Sequence, residues 1–226
     1  MLKKGERGDG MDKLAVLRQY FGFPAFRAGQ QTLIDAVLSG RDALGVMPTG
    51  GGKSLCYELP ALLLPGMTLV VSPLISLMKD QVMALRNAGI PAGCINSSMS
   101  LDELRETYRD ARYGAYKLLY VAPERLLTDG FCSLAQELEI PLVAVDEAHC
   151  ISQWGQDFRP SYLKIVEFLQ RLPRRPAVAA FTATATAMPR RKKPSCALRK
   201  IGKLSCCWLM PWSGITYRCT SRQTKS

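Results

Sequence analysis

The chain has 226 residues, 47% of them hydrophobic, which is enough for one good hydrophobic core and at most two small domains. No apolar run approaches the roughly 18 to 20 residues of a membrane-spanning helix, and no signal-peptide core follows the basic start, so we expect a soluble cytoplasmic protein without a membrane partner. The formal net charge is +11, but residues 188–226 carry ten Lys or Arg and no acid, so the remainder is nearly neutral and the charge is weak evidence for a polyanionic partner.

The spacing of apolar residues predicts helices and strands that alternate along the chain. Residues 1–10 differ from the rest and are interpreted as a leader or a misassigned start before Met11. Amphipathic helices are predicted at Lys13–Phe21, Gln30–Leu38, 74–88, 101–113 and 162–172. Short buried strands are predicted at 42–47, 68–73, 117–123, 141–147 and 177–184.

This alternation predicts an α/β fold, in which a mainly parallel sheet is covered by helices on both faces. Each predicted strand stops at or near a Ser, Pro, Asp or Thr. Ligands of such sheets bind at the carboxyl ends of the strands, and these polar residues fall at those ends.

A glycine-rich loop follows the first predicted strand, where residues 46–57 read VMPTGGGKSLCY. Its backbone N–H groups can face an anion, helped by the N-terminus of a helix beginning at Lys53. We predict a phosphate-binding loop in which Lys53 reaches the outer phosphates and the Ser54 hydroxyl ligates Mg²⁺. The strict G-x4-G-K-[ST] pattern is not fully met, because its first position is Met47, and a flexible turn is the alternative. The loop residues are Thr49, Gly50, Gly51, Gly52, Lys53 and Ser54.

Two adjacent acids end another predicted strand, in the stretch VDEAH. Two adjacent carboxylates at the end of a buried strand cost free energy unless they contact a cation or solvent. We expect Asp146 to hold the Mg²⁺ shell through water, and Glu147 to orient and activate the attacking water. Taken alone, the stretch is equally typical of an ordinary polar loop. The glycine loop upstream in the same alternating fold favours the catalytic interpretation.

The cysteines indicate a reducing compartment. Those at 56, 94, 132 and 150 stand singly among apolar neighbours, as small buried residues do. Those at 196, 206, 207 and 219 include no C-x2-C pair and no nearby histidine, so no zinc site is predicted. His149, the only histidine, is interpreted as a coupling or packing residue.

With these motifs the chain resembles the superfamily 2 helicases, and the surrounding segments narrow the resemblance to the RecQ-like DNA helicases. FGFPAFRAGQ resembles that family's adenine-binding motif, MPTGGGKSLCY its phosphate loop and VVSPLISLMKDQV the motif that follows. YVAPERL, AVDEAHCISQWGQDFRPSY and FTATAT continue the resemblance, which covers about residues 14–186. It implies a three-layer RecA-like ATPase domain over residues 11–187.

The resemblance implies that Phe23, Arg27 and Gln30 meet the adenine end of ATP. An aromatic face and a guanidinium can stack on a base, and an amide can both donate and accept. Without the resemblance, the same three residues near a helix start are more typical of capping and packing.

The resemblance also implies a surface that contacts DNA. Trp154, Phe158 and Arg159 lie in an aromatic-rich loop whose flat faces and cation suit bases and phosphates, although the two aromatic residues could equally pack in the core. Ser72 and Lys79 lie in the segment that grips one strand's backbone, without sequence preference. Further residues are expected to relay the state of the nucleotide toward DNA: His149, Thr182 and Thr184.

The resemblance stops near Ala187. Residues 188–226 are basic and cysteine-rich, with no family motif and no clear helical or strand period. We interpret them as the product of a frame slip or a premature end of the gene; the alternative is a basic tail that binds nucleic acid non-specifically.

Two functions follow as expectations. The first is the amino-terminal half of an ATP-dependent helicase that moves 3′ to 5′ on DNA with a single-stranded region, in recombination and repair, with ATP and Mg²⁺ as cofactors. A bacterial protein of this kind would be associated with the nucleoid. The second is a non-catalytic, nucleotide-responsive DNA-binding module, or a non-functional truncated product.

Overall fold

The fold is built around a sheet of seven parallel strands, seen in a computed structural model that describes residues 12–151, 159–183 and 206–209. Each strand is only four to six residues long, and those of the centre are buried along their whole length because helices cover both of their faces. The strands are β1 (Ala43–Val46), β2 (Thr68–Val71), β3 (Ala92–Ile95), β4 (Leu118–Val121), β5 (Leu142–Val145), β6 (Ala177–Thr182) and β7 (Cys206–Leu209).

Helices connect most of the strands, and local sequence sets several of their ends. The Asp12 side chain accepts a hydrogen bond from the Leu14 N–H at the start of the first helix, and Gly22 ends that helix in the left-handed conformation. Ser100 and Glu103 form a reciprocal capping box at the start of the fifth. The helices are α1 (Lys13–Phe21), α2 (Gln30–Leu38), α3 (Leu55–Leu63), α4 (Ile75–Asn87), α5 (Leu101–Arg112), α6 (Asp129–Glu137) and α7 (Lys164–Arg171).

The strand order across the sheet is β3-β4-β2-β5-β6-β1-β7. Strands β5, β6 and β1 are therefore neighbours. Val145, the last residue of β5, lies opposite Ala180 of β6, and Val46, the last residue of β1, lies opposite Thr182 of β6. Since all of these pairs are parallel, the segments that follow the three strands meet at one edge of the sheet. The glycine loop and the acidic pair lie at this edge.

The two faces of the sheet have separate cores. Helices α2, α3 and α4 cover one face, with Phe181 and Tyr57 at its centre. Helices α5, α6 and α7 cover the other face, with Phe131 and Phe168 at its centre. Helix α1 packs on α2 and α3 through Val16 and other apolar residues, so the first face carries a further helix.

The structure confirms the α/β fold, the parallel sheet and the three layers. The predicted bounds of α1 and α2 match those observed, whereas the helix after the glycine loop begins at Leu55 and not at Lys53. Among the described strands and α-helices, β3, α6 and β7 had no counterpart in the sequence analysis. Within the described ranges, no helix is long and apolar enough to cross a membrane.

Residues 188–226, whose sequence shows no clear helical or strand period, include one described strand. Strand β7 pairs in parallel with β1 over four residues. Parallel pairing is made by backbone groups, so it does not require the alternating pattern that sequence analysis sought.

Candidate nucleotide site

The loop between β1 and α3 is shaped by its glycines. Gly50 and Gly52 have φ angles of +76° and +79°, a region that residues with a Cβ rarely adopt. A Cβ on Gly52 would lie 2.4 Å from Nε2 of Gln30, and a Cβ on Gly51 would lie 2.8 Å from the Pro48 carbonyl oxygen. The second and third glycines therefore permit close packing that no larger residue allows.

Two of the residues expected at adenine hold this loop from the side. Gln30 is buried, and its Nε2 donates to the Gly52 carbonyl at 3.1 Å while its Oε1 accepts from the Arg27 N–H at 2.8 Å. The Arg27 guanidinium donates to the Gly50 carbonyl at 2.6 Å. Phe23 is 46% exposed. The structure thus brings Arg27 and Gln30 to the loop, and the contact of all three residues with adenine stays a prediction.

Lys53 joins the loop to the acidic pair. Its Nζ lies 3.2 Å from Oε1 of Glu147, and both side chains are largely buried. The two residues are 94 positions apart in sequence, and they meet because β1 and β5 end at the same edge of the sheet. A cation and a carboxylate that are partly removed from water attract each other more strongly than an exposed pair.

Asp146 lies deeper than Glu147. Burial, and then the neighbouring Glu147 carboxylate, raise the pKa of Asp146, while Lys53 and His149 act in the opposite direction. One oxygen of Asp146 accepts from the Glu147 N–H at 2.9 Å, and the Tyr162 hydroxyl donates to the Asp146 carbonyl at 2.9 Å. The first bond restrains the carboxylate of Asp146, and the second restrains its backbone.

Glu147 has an unusual backbone. Its φ angle is +46°, and it is the one non-glycine residue with a positive φ in the described part of the chain. The left-handed conformation costs a residue with a Cβ on the order of 1 to 2 kcal/mol, so the surrounding structure must impose it.

His149 connects the acidic pair to β6. Its Nδ1 lies 3.1 Å from Glu147 Oε2 and 3.1 Å from the Thr182 hydroxyl. A single ring nitrogen either donates or accepts, so the tautomer decides which of these two contacts is a hydrogen bond. The contacts place His149 between Glu147 and Thr182, and the coupling role expected for His149 and Thr182 stays a prediction.

The residues present fit a Mg²⁺ ion that arrives with phosphate oxygens. In the described ranges, no cluster of three or more His, Cys, Asp or Glu side chains could hold a metal alone. Mg²⁺ usually keeps several waters and takes one or two protein ligands beside the phosphates. The Ser54 hydroxyl and the Asp146 carboxylate provide such a pair, and a cation would offset the repulsion between Asp146 and Glu147.

The residues expected at DNA are only partly described. Ser72 is buried at the end of β2, and its hydroxyl has no hydrogen-bond partner among the described residues. Lys79 is exposed on α4, and the Arg159 guanidinium donates to the Pro73 carbonyl at 3.0 Å. Trp154, Phe158 and Thr184 lie outside the described residues.

Sequence analysis missed a group of buried polar side chains on α3, α4 and β4. Tyr57 and Tyr120 are almost fully buried, Glu58 is 8% exposed, and Gln81 joins them from α4. The only signal in the sequence was a glutamate in the apolar segment LCYELPALL.

Comparisons with known proteins show the family to which the chain belongs. The sequence profile of the DEAD/DEAH box helicase family matches residues 27–191. The chain is 53% identical over 173 residues to "ATP-dependent DNA helicase RecQ" of Bacillus subtilis (strain 168), a match that covers 76% of this chain and 29% of the relative. It is 50% identical over 172 residues to the protein of the same name from Haemophilus influenzae, covering 76% and 28%. The chain thus spans less than a third of the length of these curated relatives.

Solved structures share the fold at low sequence identity. The helicase domain of Pyrococcus furiosus Hef superposes with a TM-score of 0.62 at 19% identity, covering 84% of this chain and 38% of that one. The DUF1998 helicase MrfA bound to DNA and AMPPNP gives 0.62 at 18% identity, covering 78% and 27%.

Proposed function

Since this chain belongs to the DEAD/DEAH box helicase family, we propose that it binds ATP and Mg²⁺ at the glycine loop and hydrolyses ATP as the motor part of a RecQ-like DNA helicase. The motor moves 3′ to 5′ on single-stranded DNA and unwinds duplexes in recombination and repair. Its place is the cytoplasm, at the nucleoid in a bacterium.

The contact between Lys53 and Glu147 carries this proposal. It joins the phosphate loop to the acidic pair at the carboxyl edge of a parallel sheet, where ligands of such sheets bind. No purely structural role requires a left-handed glutamate beside a buried aspartate and a lysine at that edge.

The roles follow from chemistry and position. Lys53 neutralises the outer phosphates, and the backbone N–H groups from Thr49 to Ser54 face them. The Ser54 hydroxyl and the Asp146 carboxylate, the latter through water, hold Mg²⁺, which when bound neutralises charge on the transferred phosphoryl group. Glu147 accepts a hydrogen bond from the attacking water and orients it.

Adenine lies against Phe23 and Arg27, and Gln30 reads its edge. The loop-holding bonds of Gln30 and Arg27 support this role, because the same side chains then link the base to the phosphates. DNA passes the carboxyl edge near Ser72, Lys79 and Arg159, and its bases stack on Trp154 and Phe158. Thr182 and Thr184 relay the state of the nucleotide.

On its own, the 226-residue chain is proposed to bind ATP and DNA weakly and not to unwind DNA. In motors that this chain resembles, a second RecA-like domain completes the cleft with arginines. Loss of an arginine finger costs about 10³ to 10⁵ in rate among nucleotide hydrolases. Hydrolysis by the chain alone should therefore be very slow.

ATP hydrolysis by the purified chain, with and without single-stranded DNA, tests the proposal. A slow rate that DNA stimulates and that both Lys53→Ala and Glu147→Gln abolish is expected, with Glu147→Gln still binding nucleotide. Nucleotide-dependent DNA binding without any Glu147-dependent hydrolysis would instead support a non-catalytic DNA-binding module. Strand separation by the chain above a Lys53→Ala control would overturn the proposed inability to unwind DNA alone.

A further inference from the structure

The peptide unit between Asp146 and Glu147 is held at both of its polar atoms. Its carbonyl oxygen accepts a hydrogen bond from the Tyr162 hydroxyl at 2.9 Å, and its N–H donates to Oδ1 of Asp146 at 2.9 Å. A peptide unit is planar, so bonds to its oxygen and to its N–H fix the orientation of the whole plane. Tyr162 lies 16 positions along the chain from Asp146, so tertiary structure supplies one of the two restraints.

The peptide unit after Glu147 is held as well. The Glu147 carbonyl accepts from the Cys150 N–H at 2.9 Å. The φ angle of Glu147 describes how the substituents of its Cα, Cβ included, are rotated relative to the plane that Tyr162 holds. Because the peptide units on both sides of Glu147 are bonded, its φ of +46° cannot relax to a negative value unless one of these bonds breaks.

Tyr162 is itself fixed in place. Its side chain is 0% exposed, so water does not compete for the bond to the Asp146 carbonyl. The Tyr162 N–H donates to the Arg159 carbonyl, and the Arg159 N–H donates to the Cys150 carbonyl, each at 2.9 Å. These backbone bonds tie Tyr162 to the segment that follows the acidic pair, and its hydroxyl closes the ring of bonds at Asp146.

The backbone of Glu147 decides where its carboxylate lies. The side chain leaves the Cα in a direction that depends on φ, and from the left-handed conformation it places Oε1 at 3.2 Å from Nζ of Lys53. Rotation to a negative φ would turn the Cβ relative to the plane held by Tyr162. The carboxylate would then move relative to Lys53 and the glycine loop.

We propose that Tyr162 is a positioning residue, which holds the peptide between Asp146 and Glu147 so that the Glu147 carboxylate faces the attacking water. The inference rests on the proposed function, because it concerns the residue that orients water at that site. Tyr162 acts through the backbone alone and requires no contact with the nucleotide.

The first experiment compares glycine with alanine at position 147, by melting temperature, with Tyr162 present and with Tyr162→Phe. Tyr162→Phe removes one oxygen and keeps the ring in the core. With Tyr162 present, Glu147→Gly should melt about 2 to 4 °C above Glu147→Ala, since only alanine pays the Cβ cost of a left-handed backbone. With Tyr162→Phe the peptide is free to rotate, and glycine should melt no higher than alanine because it loses more conformational entropy on folding.

Tyr120→Phe is the matched control. Tyr120 is 2% exposed and its hydroxyl lies 3.1 Å from Oε1 of Gln81, so this variant also removes a buried, hydrogen-bonded hydroxyl. It should lower the melting temperature of the glycine and alanine variants equally and preserve the difference between them. If glycine keeps its advantage over alanine in Tyr162→Phe, the positioning role is wrong.

The second experiment measures ATP hydrolysis in the presence of single-stranded DNA, expressed per ADP-binding site so that unfolded protein is not counted. Tyr162→Phe should lower kcat by about 10- to 100-fold, as a displacement of about 1 Å in a catalytic group can. KM for ATP should stay unchanged, because the bonds of Gln30 and Arg27 to the glycine loop remain. A raised KM with an unchanged kcat would contradict an action through Glu147.

The two experiments distinguish this inference from the proposed function. Absence of Glu147-dependent hydrolysis by the unchanged chain overturns the proposed function, and with it the catalytic purpose of the positioning. The melting temperatures decide separately whether Tyr162 holds the backbone of Glu147, since they require neither nucleotide nor DNA.

Discussion

The two faces of the sheet bury very different side chains. On the face covered by α2, α3 and α4, the helices bury Gln30 and Glu58 together with the hydroxyl of Tyr57. On the face covered by α5, α6 and α7, the one buried polar residue of those three helices is Thr107, and the buried Tyr162 hydroxyl precedes α7. The Thr107 hydroxyl donates at 2.8 Å to the Glu103 carbonyl of its own helix, so it requires nothing from its neighbours.

This difference indicates a division of labour. Buried polar groups lower stability unless each of them has a hydrogen-bond partner. An apolar core needs no such partners and stabilises the fold by packing. On the first face, the polar groups that lower stability in this way are buried next to the phosphate loop. The second face supplies packing at a distance from the site, and substitutions on the two faces should therefore have separable effects.

The largest effect is expected from Phe168→Ala on the second face. Phe168 is 1% exposed and packs against Phe131 with ring centroids 5.6 Å apart. Its truncation should lower the free energy of unfolding by about 3 to 5 kcal/mol. Chemical denaturation measures this loss, and ADP affinity of the folded fraction should not change.

The matched substitution on the first face is Phe181→Ala. Its ring lies 5.5 Å from that of Tyr57, which stands in the first turn of α3 directly after the phosphate loop, so the substitution should reduce both stability and ADP affinity. If Phe168→Ala and Phe181→Ala alter nucleotide binding equally, the proposed division between the faces is wrong.

The next effect is a dependence of stability on pH through Glu58. Burial raises the pKa of this carboxyl from 4.5 to about 7 in the folded protein. The folded state therefore holds the proton more tightly than the unfolded state, and the stability it confers is lost as pH rises from about 4.5 to about 7. The full difference is about 3 kcal/mol by the usual conversion of pKa units.

Glu58→Gln removes this titration. Denaturation at about pH 5 and about pH 8 should show the variant gaining stability relative to the unchanged protein at the higher pH. Glu124→Gln, at an exposed glutamate, is the control for loss of one carboxyl group. Equal changes for Glu58→Gln at both pH values would contradict a protonated carboxyl in the core.

A smaller, local effect is expected from Gly52→Ala. The added Cβ meets the Gln30 amide and also forces a residue other than glycine to adopt a φ of +79°. We expect ADP affinity to fall by about tenfold, since strain of this kind is on the order of 1 to 3 kcal/mol and here displaces the loop.

Gly114→Ala at the end of α5 is the control for Gly52→Ala. Gly114 has a similar φ of +72°, but nothing lies within 4 Å of its added Cβ. Both variants should melt at lower temperature, and only Gly52→Ala should bind ADP less tightly. Equal ADP affinities of the two variants would show that Gln30 does not hold the loop.

The smallest effect is expected from Arg112→Ala. Arg112 donates two hydrogen bonds to Glu137, at 2.7 and 3.2 Å, but both side chains are exposed on the second face. Exposed pairs of this kind contribute little to stability because water and salt screen them. The melting temperature should be unchanged within error, whereas Arg175→Ala should lower it by leaving the buried Asp42 without its cation.

Much of the fold could be predicted from local sequence. The bounds of α1 were predictable because Asp12 and Gly22 mark its ends. The strand AGCI (β3) was not, because alanine and glycine have low strand propensity and the segment has only four residues. Helix α6 was missed as well, since it is short and contains a glycine in its first turn.

The candidate site divides in the same way. Lys53 and Glu147 could be paired from sequence, because both follow buried strands and parallel strands end together. The bond between Tyr120 and Gln81 could not, since a tyrosine in the strand LLYV is typical of an apolar core. Sequence periodicity identifies which side chains are buried, but it does not state which hydroxyl meets which oxygen.

The left-handed backbone at Glu147 has a consequence for anyone who wishes to make this protein more heat-resistant. Replacement by glycine is the standard remedy for a residue with positive φ, and Glu147 is the one such position in the described ranges. That remedy would relax the chain and delete the carboxylate that faces Lys53. At this position a substitution that raises thermal stability should lower the turnover rate, and variants selected for stability alone should lose activity.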